Sequence, residues 1–242
     1  PIDTKRGHAT ALSETEGCYV FAEDLLDDLE LLQNSLLEYG AVTVAYNDVN
    51  EAIRLVDTFG FFLANLDIRQ NSQFYETALL QLLEASSIDV KKYKESNEQQ
   101  RLKFINNELK STRPFTHPSM KLGENAEAVL GCYRVLSGHF THYGSTGIGS
   151  LIVSMTRNLN DLLTVYLMAR EAGLILKSND KIVCPLPIVP LFETIDDLEH
   201  SPKILDEFLS HSLTKDSLEY LSQFHPQKKK VQQVMVGYSD CN

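Results

Sequence analysis

The sequence predicts an α/β fold, rich in helix, in which a few buried strands are joined by large helical insertions. Three observations carry this. Apolar residues recur at helical spacing through most of the 242 residues. Four short apolar runs of a different character interrupt them. Three of those runs end on an ionisable residue, at the point where a strand would give way to the next loop or helix.

The helices come first along the chain. Leu25, Leu29, Leu32 and Leu36 fall on one face, and Glu23, Asp24, Asp27 and Asp28 crowd the opening turns, where the helix dipole favours acids. Asn47 is placed to cap a second helix carrying Val49, Ala52, Ile53 and Val56. Tyr75, Leu79, Leu82 and Leu83 mark a third. Ser96 with Gln99 reads as a capping box ahead of Leu102, Ile105 and Leu109. Val129, Cys132, Tyr133 and Leu136 form a further stripe. The most regular one, Leu159, Leu162, Leu163, Tyr166 and Leu167, is closed by Gly173.

The apolar runs are Phe61 to Ile68, Ser150 to Met155, Ile182 to Phe192 and Val231 to Tyr238, all but the first rich in β-branched residues. Short apolar runs without clean alternation suit strands buried on both faces of a parallel sheet. The long, helix-filled connection from the first to the second implies a barrel or sheet with large insertions.

Composition narrows the function classes. Hydrophobic residues make up 43% and charged residues 23%, ordinary globular values. The formal net charge is −11, and the one basic run, Lys228 to Lys230, reads as a solvated loop. Nucleic acid is therefore not an expected partner, since phosphate-backbone binding needs clustered Lys and Arg. No apolar stretch approaches the ~20 residues of a membrane helix, so no membrane association is expected. Cys18, Cys132, Cys184 and Cys241 are widely spaced, with neither a zinc-ligand pair nor a disulfide framework, as in a cytoplasmic protein. The chain opens on Pro1 and stops soon after a strand, which reads as a segment of something longer.

The chemistry is expected at the strand ends. The first run leads into Asp67-Ile68-Arg69-Gln70, the third ends Phe192-Glu193-Thr194, and the fourth ends Tyr238-Ser239-Asp240. A charge in such a position is costly unless paired or metal-bound, and in barrels and open α/β sheets this edge is where active sites form. Glu193 and Asp240, on successive strands, are placed to share one hard cation, Mg²⁺ or Mn²⁺. Arg69 offers a planar cationic fork for a phosphate or carboxylate. The competing reading is a purely structural pairing of Arg69 with Asp67 or another carboxylate. Asp196, Asp197 and Glu199 are rival ligands, but Thr194 looks like an N-cap and places them in the first turn of the next helix. Gly144 to Gly149 looks like a phosphate loop, yet it precedes a strand instead of joining a strand to a helix. His117, His139 and His142 lack metal-ligand spacing. Ser154 and Met155 face the same edge as Arg69, lining the site or packing in the core.

Four segments, LDIRQNS (66–72), SLIVSMTRNLNDLLTVYLMAREAG (150–173), VPLFETIDDL (189–198) and QVMVGYSD (233–240), resemble consecutive motifs of the bacterial and plant-type phosphoenolpyruvate carboxylases. Ala22 to Leu37 and Phe59-Gly60-Phe61 fit the same family, so the resemblance covers nearly the whole chain. It implies a TIM-like α/β barrel wrapped in many helices, of which residues 1–242 would be one partial domain with about four barrel strands. It implies Mg²⁺-dependent carboxylation of phosphoenolpyruvate by bicarbonate, giving oxaloacetate and phosphate through carboxyphosphate and the enolate of pyruvate. By motif, Glu193 and Asp240 match the family's metal ligands, and Arg69 matches its substrate-contacting, catalytic arginine. Members are tetramers, so a homotetramer is expected of the full-length protein.

Two departures matter. Tyr75 stands where the family usually has histidine. The family's catalytic histidine lies upstream of these residues and its glycine-rich arginine loop downstream, so the segment alone is expected to be inactive. The alternatives are a non-catalytic helical α/β module, or a barrel metalloenzyme acting on another phosphorylated or enolisable acid.

Overall fold

The computed structural model of the protein describes residues 18–19, 21–117, 119–145, 147–224 and 227–237. They fall into two compact units divided after Asn65.

The first unit is helical. Helix α1 (Ala22–Tyr39) ends at Gly40, whose φ of 89° lets its N–H and that of Ala41 bond back to Leu37 O and Leu36 O. A short helix α2 (Val42–Val44) passes through a π-helical turn (Ala45–Val49) into α3 (Asn50–Phe59). This corrects the expected cap at Asn47. The backbone is already helical before Asn47, so no free first turn remains for its side chain to close.

The second unit is built on a parallel sheet of four strands, ordered β1 (Leu66–Asn71), β2 (Ile148–Ser154), β5 (Ile188–Phe192) and β6 (Met235–Val236). Between β1 and β2 lie α4 (Ser72–Ala85), α5 (Val90–Glu95), α6 (Glu98–Glu108) and α7 (Glu124–Tyr143). Helix α8 (Leu159–Glu171) follows β2, and α9 (Ile195–Ser210) and α10 (Ser212–Ser222) lie between β5 and β6. Parallel pairing with helical crossovers makes this a mixed α/β fold.

Strand limits shift from the expected ones for physical reasons. β1 starts at Leu66, not Phe61, and runs through Asp67, Arg69 and Gln70, while Leu63 is exposed. The expected strand Ile182 to Phe192 is two. Lys181–Val183 (β4) pairs antiparallel with Leu176–Ser178 (β3) in a separate hairpin, and β5 begins only after Pro185 and Pro187, which lack the N–H a ladder needs. Asn179 and Asp180, at φ 48° and 62°, make the hairpin's tight turn. Of the fourth expected run, Val231 to Tyr238, the described residues form a strand at Met235–Val236, and Tyr238 lies outside them.

Helix α8 is the centre of the core, with all thirteen residues buried. Asn158 caps it, and it ends through Gly173, whose φ is 74°. Two of its charges form a buried pair: Arg170 Nη2 lies 2.7 Å from Glu171 Oε1, and Glu171 also accepts from the amides of Phe115 and Thr116 and the Thr116 hydroxyl. Helices α4 and α7 pack together through Tyr75 and Tyr133, both about 1% exposed, with hydroxyls 2.7 Å apart. The capping box before α6 belongs to Asn97 and Gln100, not to Ser96 and Gln99; Ser96 bonds back to Lys92 O and ends α5. No helix of the described residues is long and apolar enough to cross a membrane.

Candidate active site at the carboxyl edge of the sheet

Each parallel strand delivers its carboxyl end to the same rim of the sheet, and three elements meet there. Arg69 comes from β1, where it stands opposite Ile152 in register. Met155 follows the last residue of β2. Glu193 follows Phe192, the last residue of β5. Arg69 Nη2 lies 2.7 Å from Glu193 Oε1, an ion pair spanning 124 positions of sequence. The other carboxylate oxygen, Oε2, accepts from the backbone N–H of Met155 at 3.2 Å. The Arg69 side chain is 46% exposed and that of Glu193 11%. One partner is thus open to solvent while the other is held in place.

Asp67 does not pair with Arg69. Its Oδ1 accepts from Ser150 N at 2.7 Å, at the irregularity in the β1–β2 ladder, and this explains Gly149: a Cβ there would collide with the Asp67 carboxylate. The glycine-rich stretch 144–149 therefore serves strand pairing, and it enters β2 at its amino end, opposite the rim.

Of the rival acids, Asp197 is occupied in the cap, and Asp196 and Glu199 are exposed on the following helix. Asp197 and Thr194 form a reciprocal capping box, and Asp197 Oδ2 also accepts from Glu193 N at 3.3 Å. Asp196 is exposed beside His200. The described histidines do not reach the rim pair by any hydrogen bond: His117 bonds Ser119, His142 bonds Gly138 O, and His211 bonds Asn106. Tyr75 is in the core, its phenol pushed up to about 12 by burial, and its hydroxyl is taken by Tyr133.

Asp240 lies outside the described residues. The chain leading toward it does run along Glu193: Gly237 N donates to Phe192 O at 2.9 Å, and a Cβ on Gly237 would sit 3.1 Å from Glu193 Cα and Cγ. Among the described residues no group of three His, Cys, Asp or Glu side chains converges. The anchored carboxylate of Glu193, with its hard oxygens, suits Mg²⁺ or Mn²⁺, which are held through one or two carboxylates with waters and substrate oxygens completing the shell.

The sequence offers Met155 as site lining or as core packing. Its backbone is the finding: φ is 53°, its N–H holds Glu193, its carbonyl accepts from Ser72 Oγ at 2.6 Å, and its sulfur accepts from Asn71 Nδ2 at 3.1 Å. No composition signal marks a non-glycine residue in the left-handed region. A second polar cluster also escaped notice. Glu76 bridges Arg101 and Arg157 at 3.0 and 3.1 Å, and Arg157 pairs with Asp161, beside a cavity of about 320 Å³.

The sequence model of phosphoenolpyruvate carboxylase matches residues 3–242. The chain belongs to the phosphoenolpyruvate carboxylase family. Among curated members, it is 34% identical over 224 residues to the phosphoenolpyruvate carboxylase of Bradyrhizobium diazoefficiens, a match covering 93% of this chain and 23% of that protein. It is 32% identical over 235 residues to the phosphoenolpyruvate carboxylase of Aromatoleum aromaticum, covering 97% of this chain and 24% of that protein. With the Corynebacterium glutamicum phosphoenolpyruvate carboxylase the identity is 34% over 225 residues, 93% of this chain and 24% of the relative. The chain therefore spans about a quarter of the length of the family members it matches.

Proposed function

We propose that this chain supplies the metal-binding and phosphate-facing part of a phosphoenolpyruvate carboxylase, which carboxylates phosphoenolpyruvate with bicarbonate to give oxaloacetate and inorganic phosphate. The observation that carries the reading is the meeting of Arg69 and Glu193 at the carboxyl rim of a parallel sheet, in a chain matched by that family over nearly its whole length. In this reading the four strands belong to a TIM-like barrel, residues 1–242 being one partial domain of it, and the full-length protein is a cytoplasmic homotetramer.

The residues have separable tasks. Glu193, with Asp240 four positions beyond β6 in sequence, would hold Mg²⁺ or Mn²⁺. When bound, the ion supplies Lewis-acid stabilisation of negative charge on the phosphoryl group and then on the enolate oxygen. Arg69 brings a permanent positive charge and a planar donor fork, which orients the phosphate of phosphoenolpyruvate and offsets charge as bicarbonate attacks phosphorus. Glu193 also orients Arg69 through the 2.7 Å contact, so the phosphate-binding and metal-binding groups are fixed relative to each other. The family's catalytic histidine and glycine-rich arginine loop have no counterpart here, so the chain by itself is expected to be inactive.

The test is bicarbonate-dependent release of phosphate from phosphoenolpyruvate by the full-length protein, with labelled bicarbonate carbon recovered in oxaloacetate. Phosphate release that ignores bicarbonate would sink the carboxylase reading. Activity in the absence of any divalent cation would sink the metal assignment.

A further inference from the structure

We propose that Ser72 is a positioning residue for Glu193, acting through the left-handed backbone of Met155; the inference rests on the reading of Glu193 as a metal ligand. Ser72 opens α4 directly after β1 and is 1% exposed. Its hydroxyl does not cap that helix, because Asn71 Oδ1 already accepts from Gln73 N at 2.7 Å. The hydroxyl instead crosses to the neighbouring strand end and donates to Met155 O at 2.6 Å.

The geometry of the turn gives that bond a consequence. The amide ahead of Met155 is aimed at Glu193 Oε2 at 3.2 Å. With that amide in place, the φ torsion of Met155 places its carbonyl carbon and so helps decide where the carbonyl points. At 53° it lies where side-chain-bearing residues rarely settle. Thr156 N reaches Leu191 O at 3.4 Å, and the Thr156 hydroxyl bonds Val153 O at 2.8 Å, which ties the far side of the turn to β5 and β2. The bond from Ser72 is the clamp on the near side. Without it Met155 relaxes toward an ordinary torsion and its N–H leaves Oε2, so the Glu193 carboxylate keeps Arg69 at Oε1 but loses the second tie that fixes its plane. Groups that orient a ligand in this way contribute to metal affinity without touching the metal.

The experiment measures Mn²⁺ binding to the full-length protein without substrate, by electron paramagnetic resonance of the free ion, with a melting temperature recorded for each variant. Ser72→Ala is expected to weaken Mn²⁺ binding by about tenfold. Adding Met155→Gly to Ser72→Ala is expected to restore much of the loss, because glycine enters the left-handed region without a side-chain penalty and keeps the N–H. Glu193→Gln is expected to abolish binding. If Ser72→Ala binds Mn²⁺ like the parent while Glu193→Gln does not, the positioning role is wrong and the metal reading stands. If the double variant binds no better than Ser72→Ala, Ser72 has only a structural role and the proposal falls. If Glu193→Gln binds like the parent, the metal reading and the positioning role fall together.

Discussion

Arg69 and Glu193 face each other at 2.7 Å from the ends of two strands that are not themselves neighbours, with β2 between them. The contact therefore spans the width of one strand, and the backbone of that middle strand, through Met155, holds the second carboxylate oxygen. The pair is only partly buried, so its own contribution to stability should be small. Glu193→Ala is expected to cost about 1 kcal/mol in urea unfolding. Arg69→Lys keeps the charge but loses the planar fork, and should lower kcat/KM of the full-length enzyme for phosphoenolpyruvate by roughly a hundredfold. A near-parental kcat/KM would remove Arg69 from the site.

Gly149 and Asp67 make a second, purely structural prediction. A methyl group at 149 meets the Asp67 carboxylate, so Gly149→Ala should destabilise by about 1–3 kcal/mol. Shortening the neighbour in Gly149→Ala with Asp67→Ala should be less damaging than the sum of the two single changes, as measured by urea midpoints. Strict additivity would mean the two side chains do not meet.

The buried pair of α8 predicts a large effect. Glu171→Gln leaves Arg170, 3% exposed, with only the longer Glu108 pair at 3.3 Å and weakens three hydrogen bonds from Phe115 and Thr116. The expected loss is about 3–5 kcal/mol, enough to unfold a marginal domain at growth temperature. A change under 1 kcal/mol would show that the surrounding backbone can relax to hydrate the guanidinium.

Buried tyrosines set the alkaline limit, Tyr133 and Tyr166 as well as Tyr75 and Tyr93 being raised by burial. Burial pushes the phenols of Tyr75 and Tyr93 up to about 12, in Tyr93 against a smaller downward pull from Arg101. Well below pH 10 both are protonated in the folded and unfolded chains, and stability does not change with pH on their account. Above it the unfolded chain ionises first, so stability falls as pH rises from about 10 to 12. Tyr93→Phe should shallow that decline by about one proton in urea midpoints measured across the window. An unchanged slope would place the Tyr93 hydroxyl in water.

The sequence showed much of this, and what it hid has physical causes. Helical stripes such as Leu159 to Leu167 are set by local periodicity, and they stood where expected. The rim was legible because Arg69 and Glu193 are charges beside apolar runs, which demand a partner. The true capping residue, Asn97, was missed by one position because Ser96 and Asn97 are both good caps; which one serves depends on where α5 lets go. The single strand expected at Ile182 to Phe192 failed on Pro185 and Pro187, a backbone donor effect that hydrophobicity does not register. Met155 could not have been found, since its role belongs to a torsion and a main-chain N–H that carry no side-chain signature.

The 124-residue gap between Arg69 and Glu193 also has a meaning in time. A ribosome adding 5–20 residues per second needs on the order of ten seconds to make the second partner after the first. Through that interval β1 has no sheet to join until β2 emerges, and an unpaired strand edge invites the wrong neighbour. Helices α4 to α7, made during the wait and able to form from nearby contacts, are the elements at hand to shelter it. Synthesis order alone thus makes the rim one of the last features of this segment to appear, so a nascent chain stalled before β5 would carry α4 to α8 and Arg69 but not the carboxylate that Arg69 meets.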